Sequence, residues 1–395
     1  MVEVRSMENK DLLAYKRLCS VCYTYSVDNE VPAELPEEKL RIRRGVFGEN
    51  GELLSAMMQI PYEIRFCGET ASMVGIGGVV TDPVARKGGA IRAIFEQDLP
   101  AKYEEGYVFS ALYPFSYRFY GKFGYIWTKF GREYRVPRES LRTDLRRADE
   151  IVRVLPGEND QGMADVYAQY VADKNFAVLR TEEMWNERRK GTPWENLKHA
   201  YVLRIGGKPA AYWIGKHERG EDGATLYMQD LAWTCQAGLE AVFAMIRGMN
   251  EISTIKVTAR SGFEPALLCD EQWDVTIAGE SQGMVRVVNA ARALAMLPAP
   301  VTPGAVTIEV TDGQIPANCG RFTVAGDGEV LTVFRDDKTA PDIRCNIQGL
   351  SALVVGRHTF ADAAALGIVD LANPRKADFA EILFTKRDLH LNWGF

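Results

Sequence analysis

Histidine is scarce in this chain, with four in 395 residues, and His199, His217, His358 and His390 are not spaced as metal ligands. The seven cysteines are scattered and make no disulfide framework. The one close pair, Cys19-Ser20-Val21-Cys22, has neither a second pair nor a thioredoxin-like strand context, and reads as packed helix cysteines. No run of eighteen apolar residues occurs, and Met1-Val2-Glu3-Val4-Arg5 lacks a signal-peptide core. Cytoplasmic residence, with no membrane partner and no metal, is the expectation. A Gly-x-Ser-x-Gly elbow is missing, as is a Walker-type Gly-Lys-Ser/Thr, which removes the usual signatures of a hydrolase or a P-loop enzyme. Basic excess is missing too. With 47 Lys and Arg against 53 Asp and Glu, the formal charge of −6 argues against nucleic acid and suits a cationic partner.

What is present is an ordinary globular composition, 47% hydrophobic and 25% charged, in a chain too long for one core. Two or three domains are expected. The most informative stretch is Gly77-Gly78-Val79-Val80-Thr81-Asp82-Pro83-Val84-Ala85-Arg86-Lys87-Gly88-Gly89-Ala90-Ile91-Arg92. It reads as a strand, a short basic glycine turn, and a helix with apolar positions at Ile91, Ile94, Phe95 and Leu99. Such a turn leaves backbone N–H groups unpaired at a helix start, where the dipole favours a phosphate. Arg86 and Lys87 add charge, and Gly88 and Gly89 let a pyrophosphate approach the backbone. Gly75-x-Gly77-Gly78 is no dinucleotide fingerprint, because its spacing to the next glycines is wrong. The series Arg86 to Ile91 resembles the acetyl-CoA pyrophosphate loop of the GNAT superfamily of N-acetyltransferases, with Ile91 where a smaller residue is usual.

A second element follows: Phe119-Tyr120-Gly121-Lys122-Phe123-Gly124-Tyr125. It is similar to the superfamily's aromatic-Tyr-x-Lys-x-Gly-aromatic helix. Attack of an amine on a thioester expels a thiolate, and a phenol of pKa about 10 stays protonated to meet it. Tyr120 is the candidate acid. At this spacing, the two elements together resemble the enhanced intracellular survival (Eis) family. That resemblance implies an α/β (α+β) architecture of two tandem acetyltransferase folds, the second degenerate, and a sterol-carrier-like α+β domain. The boundaries read from the chain are 1–140, 141–284 and 285–395.

The resemblance implies acetyl-CoA as co-substrate, a primary amine of a cationic small molecule, aminoglycoside or polyamine-like, as acceptor, and a homo-oligomer, commonly a hexamer. It implies that Val79 and Thr81 lend backbone groups to the pantetheine arm, while Arg86, Lys87, Gly88, Gly89, Ala90 and Ile91 hold the pyrophosphate. It also implies that the C-terminal carboxylate, here of Phe395, serves as the base toward the amine. Trp393 and Phe395 are aromatic, which argues against a frayed tail. Asp28, Glu30 and Tyr113 are candidate acceptor contacts, and solvated loop positions explain Asp28 and Glu30 equally well. A protein lysine acetyltransferase and a non-catalytic acyl-CoA or lipid-binding module are the alternatives.

Along the first segment, helices are expected over residues 8–25 and 37–45, and strands over 53–61, 62–66, 72–81, 107–113 and 133–136. The middle segment repeats this grammar, but Thr234 to Phe243 has no basic glycine loop where a second cofactor site would sit. The last segment offers a helix over 288–296, strands over 306–310, 320–325 and 329–334, and helices over 347–354, 360–365 and 376–383.

Overall fold

The computed structural model describes residues 2–221, 223–260 and 262–394. Phe395 lies outside the described residues, so the expectation placed on its carboxylate has no structural counterpart among them. The first unit comprises β1 (Glu3–Ser6), α1 (Leu12–Tyr23), α2 (Glu37–Arg41), β2 (Arg43–Phe47), β3 (Leu53–Phe66), β4 (Glu69–Thr81), α3 (Ala90–Glu104), β5 (Phe109–Leu112), α4 (Tyr117–Gly121) and β6 (Ile126–Pro137). Three expectations change here. The first helix stops at Tyr23, where Thr24 turns left-handed with φ 57°. The helix placed over 37–45 ends at Arg41, because residues 43–47 pair with Leu53–Met58 as a strand. The two strands split at Pro61 are one. Beyond Met58 that strand has lost its β2 neighbour, and an edge tolerates a proline that cannot donate.

The second unit contains β7 (Glu150–Arg153), α5 (Met163–Tyr170), α6 (Glu182–Arg188), β8 (Lys198–Ile205), β9 (Lys208–Gly220), β10 (Gly223–Trp233), α7 (Gln236–Arg247), β11 (Ile252–Ala259) and β12 (Thr276–Val287). The third contains α8 (Ala290–Ala295), β13 (Gly304–Thr311), β14 (Gly320–Gly326), β15 (Leu331–Arg335), β16 (Ile343–Asn346), α9 (Ile347–Val354), α10 (Phe360–Ala365), β17 (Asp370–Leu371) and α11 (Ala377–Leu383). Its sheet runs β15-β14-β13-β16-β17. Among the described residues no helix is long and apolar enough to cross a membrane, and no three His, Cys, Asp or Glu side chains are placed to hold a metal.

The first two units share one twelve-stranded sheet in the order β1-β2-β3-β4-β5-β12-β6-β11-β10-β9-β8-β7. Each unit holds a parallel pair, β4 with β5 and β10 with β11. Each then receives its next strand from the other. β12 pairs with β5 through Met284–Val287, and β6 pairs with β11 through Arg132–Pro137. The two exchanged strands meet each other in the middle of the sheet.

Arg286 sits on the exchanged strand β12 and is fully buried. Its guanidinium donates to the Phe123 carbonyl of the first unit and, at 2.5 Å, to Asp312 Oδ2 of the third. Asp312 also accepts from the amides of Gln314 and Ile315 and from Asn318 Nδ2 at 2.9 Å, so the carboxylate is fully engaged. Around this pair an apolar core runs without a break from Phe109 and Phe130 of the first unit to Ile308, Leu350 and Leu391 of the third. Removing the arginine strands the buried carboxylate. Arg286→Ala is expected to cost about 3–5 kcal/mol, read as a lower midpoint in denaturant unfolding.

After α11 the chain runs across the other two units as a tail. The His390 amide donates to the Asn175 carbonyl at 2.6 Å, and His390, Leu391 and Asn392 are all buried. Burial, with Arg260 and Lys174 nearby, holds the His390 imidazole well below the usual histidine range. Burial and His217 likewise hold His199 at about 4. Both are neutral when folded, so protonation favours the unfolded chain. Stability is complete above about pH 6.5 and drains as pH falls below it. Acidification through that range is expected to lower the thermal midpoint, and His390→Gln is expected to shrink the fall, with His199 and His358, which burial also lowers, contributing to the remainder.

Candidate active site

β4 and β5 pair from Met73–Phe109 to Ile76–Leu112 and then part. The fork opens a cavity of about 850 Å³ lined by Gly77 to Thr81, by the loop and first turn of α3, and by Tyr113, Phe115 and Tyr120. Past Ile76, β4 keeps β3 on one side and has no β5 partner on the other, which leaves an open strand edge for an extended ligand. Val79 and Thr81, the positions expected to pair with pantetheine, lie on this edge. The Thr81 hydroxyl itself is engaged with Ser55 Oγ at 2.8 Å.

Gly78 takes φ +55°, and the β3–β4 register shifts between Ala56 and Met58, which marks a bulge at Gly78–Val79. A bulge leaves a residue outside the ladder and turns its amide away from the neighbouring strand. Only glycine fits there. A Cβ would stand 2.7 Å from the Tyr15 hydroxyl, in a backbone conformation that L side chains rarely adopt. Gly75, Gly77 and Gly78 therefore lie inside a strand.

Asp82 to Gly89 form the loop. Gly89 adopts φ +85° with open space around it, and α3 begins at Ala90 with no side-chain cap. The first amides of this fifteen-residue helix thus face the cavity beside exposed Arg86 and Lys87. Uncapped amides, two cations and an unobstructed glycine fit a pyrophosphate. Gly88 departs from its expected role, since its amide turns inward to the Ala85 carbonyl at 3.3 Å. Ile91 is buried in the first turn and packs with Ile94, Phe95 and Tyr120.

Tyr120 lies on α4, whose start is capped by Ser116 Oγ accepting from the Phe119 amide. Phe95, Phe115, Phe119 and Tyr125 surround its ring edge-on. The side chain is 1% exposed yet lines the cavity. Burial, with Tyr125 and Tyr23 adding to it, raises the phenol well above its ordinary value of about 10. The phenol therefore stays protonated throughout the neutral pH range.

Tyr113 joins the cavity to the tail. It lines the cavity, and its hydroxyl donates to the Trp393 carbonyl at 3.1 Å. Asp28 and Glu30 are not brought to the site. Asp28 is exposed and paired with Lys16, which lowers its carboxyl, and Glu30 stands in the same solvated loop. The sequence places a helix here but does not show that α1 walls the cavity. Cys22 lines the cavity with its thiol on the Thr81 carbonyl at 3.4 Å, while Cys19 packs in the core behind it. Nothing in Cys-x-x-Cys distinguishes a cavity wall from a core position, because that depends on how α1 crosses β4.

Residues 3–128 match the family model of the acetyltransferase (GNAT) domain, and residues 290–392 match that of the sterol carrier protein domain. The chain is therefore an acyltransferase with a GNAT acetyltransferase domain at its start and a sterol-carrier domain at its end. Its three-part fold is shared with Eis1 from Mycobacterium abscessus, at TM-score 0.80 and 19% identity over 100% of both chains. A GCN5-related N-acetyltransferase from Anabaena variabilis superposes with TM-score 0.86 at 20% identity, covering 98% of this chain and 100% of that one. Another from Kribbella flavida has TM-score 0.80 at 18% identity over 100% of both. No curated protein sequence matches the chain. If Tyr120 is the proton donor, Tyr120→Phe is expected to lower kcat by about 10²–10⁴-fold, with acetyl-CoA binding by calorimetry unchanged.

Proposed function

We propose that the protein transfers an acetyl group from acetyl-CoA to a primary amine of a cationic small molecule, directly within a ternary complex. The observation that carries this reading is the fork between β4 and β5, with an uncapped helix start at one wall and Tyr120 at another. In this reading the loop from Arg86 to Ile91 holds the pyrophosphate, and the edge at Val79 and Thr81 aligns the pantetheine arm. The amide freed at the Gly78–Val79 bulge steadies the developing oxyanion. The amine nitrogen bonds to the carbonyl carbon, the carbon–sulfur bond breaks, and Tyr120 delivers its proton to the departing thiolate. The amine's own proton passes to the carboxylate of Phe395, directly or through water.

A free α-carboxylate of pKa about 3.5 is a weak base, and burial would strengthen it. In this reading Tyr113, which lines the cavity and donates to the Trp393 carbonyl, bounds the acceptor side and favours a small amine over a lysine presented by a protein. We place the enzyme in the cytoplasm as a homo-oligomer, a hexamer by its resemblance to the Eis family.

Release of CoA from acetyl-CoA with a panel of aminoglycosides and polyamines tests the reaction, and deletion of Phe395 tests the base. Turnover with at least one amine that falls on deletion is the expected result. Acetyl-CoA binding without turnover on any amine overturns the small-molecule reading.

A further inference from the structure

The second unit repeats the fork of the first. β10 and β11 pair in parallel from Ala224–Ile252 to Met228–Val257 and then part, as β4 and β5 do. Three features close this second fork to a cofactor. Only Thr234 and Cys235 connect β10 to α7, where the first unit spends Asp82 to Gly89. α7 lies so close to β9 that a Cβ on Gly238 would stand 2.5 Å from the Ala210 carbonyl oxygen. The fork is also filled. Tyr170, Trp233, Phe263, His390 and Asn392 leave about 10 Å³ between its strands.

Two of those residues, His390 and Asn392, belong to the tail of the third domain. The filling is specific. The Tyr167 hydroxyl meets Asn392 Oδ1 at 3.3 Å, and Arg188 Nη2 donates to the Asn392 carbonyl at 2.8 Å. The Arg188 guanidinium stands 4.5 Å from the centre of the Trp393 ring. Behind it Arg180 is locked by Asp230 at 2.5 and 3.0 Å, and Asp230 accepts from the Tyr212 hydroxyl. On the far side Trp393 is held by the first unit through the Tyr113 hydroxyl, which donates to its carbonyl.

We propose that the second unit's cofactor fork has become the seat of the C-terminal tail, and that Arg188 is a positioning residue that holds Asn392–Trp393 against Tyr113 at the rim of the acetyl cavity. The seat fixes the tail two residues before Phe395, so it governs where the chain end lies. Its effect on turnover rests on the reading of Phe395 as the base.

Two measurements separate the seat from that reading. The first is trimming of the intact protein by carboxypeptidase, which needs the tail to leave its seat. Arg188→Ala and Trp393→Ala are each expected to speed trimming about tenfold, because cleavage follows the open population, with Arg188→Lys in between. Unchanged trimming in both alanine variants overturns the seat. The second is steady-state turnover on the best amine of the panel. Arg188→Ala is expected to lower kcat by about a hundredfold, the scale of a catalytic group displaced by an ångström, with acetyl-CoA affinity and thermal midpoint little changed.

In a chain already lacking Phe395, the same substitution is expected to cost nothing further. An equal loss in both backgrounds overturns the positioning role, since Arg188 would then act without the tail. Full activity on deleting Phe395 overturns the base alone, and the trimming rates still decide the seat.

Discussion

Arg286 is the contact on which the rest of the molecule depends. One guanidinium, cut off from water, ties the turn that follows Tyr120 to a carboxylate of the third domain, and it does so from a strand contributed by the second unit. Gly124 next to that turn has φ +85°, and a Cβ there would stand 2.5 Å from the Arg286 Nη1 atom, so the backbone is shaped around the cation. Tyr120 therefore owes its position to all three parts of the chain. A buried ion pair is a poor source of net stability and a good source of registry. Here it sets the register of the exchanged strand against the aromatic helix.

The same logic explains why the chain carries a second unit without a basic glycine loop. The strands β6 and β12 each complete the other unit's half of the sheet, so the second unit is structurally obligatory. A fork between parallel strands is a natural receptor for extended chain, because its open edges offer unpaired backbone groups. In the first unit that edge faces a cavity of about 850 Å³, and in the second the corresponding space holds protein.

Local features were legible in the sequence, and long-range ones were not. The basic glycine turn and the aromatic helix were found because a loop at a helix start and a Tyr-x-Lys spacing are short patterns. Helices α9 and α10 fall where expected, since Asn346 and Thr359 cap them by accepting from the amides of Gly349 and Asp362. Strand β12 escaped notice because Gly279, Gly283 and polar residues interrupt it. It is a strand because two neighbours flank it, and Gly283 is needed where a Cβ would stand 2.0 Å from the Phe130 ring. Asp28 and Glu30 were plausible by charge alone, but Lys16 rather than a substrate answers Asp28. Composition at the chain end, with two aromatic residues, did point to a docked tail. Its receptor could not be read, because Arg188 and Tyr113 are brought together only by the fold.

Strand exchange has a further consequence for how the protein behaves among its neighbours. Two separate sheets would present four unpaired edges, each a template for another chain. Fusing them through β12 and β6 leaves two, β1 and β7. Both are four residues long, and each carries a glutamate and an arginine, Glu3 with Arg5 and Glu150 with Arg153. Short, charged margins of this kind resist edge-to-edge association. The architecture that closes the active site thus also keeps a large open sheet from recruiting unrelated strands.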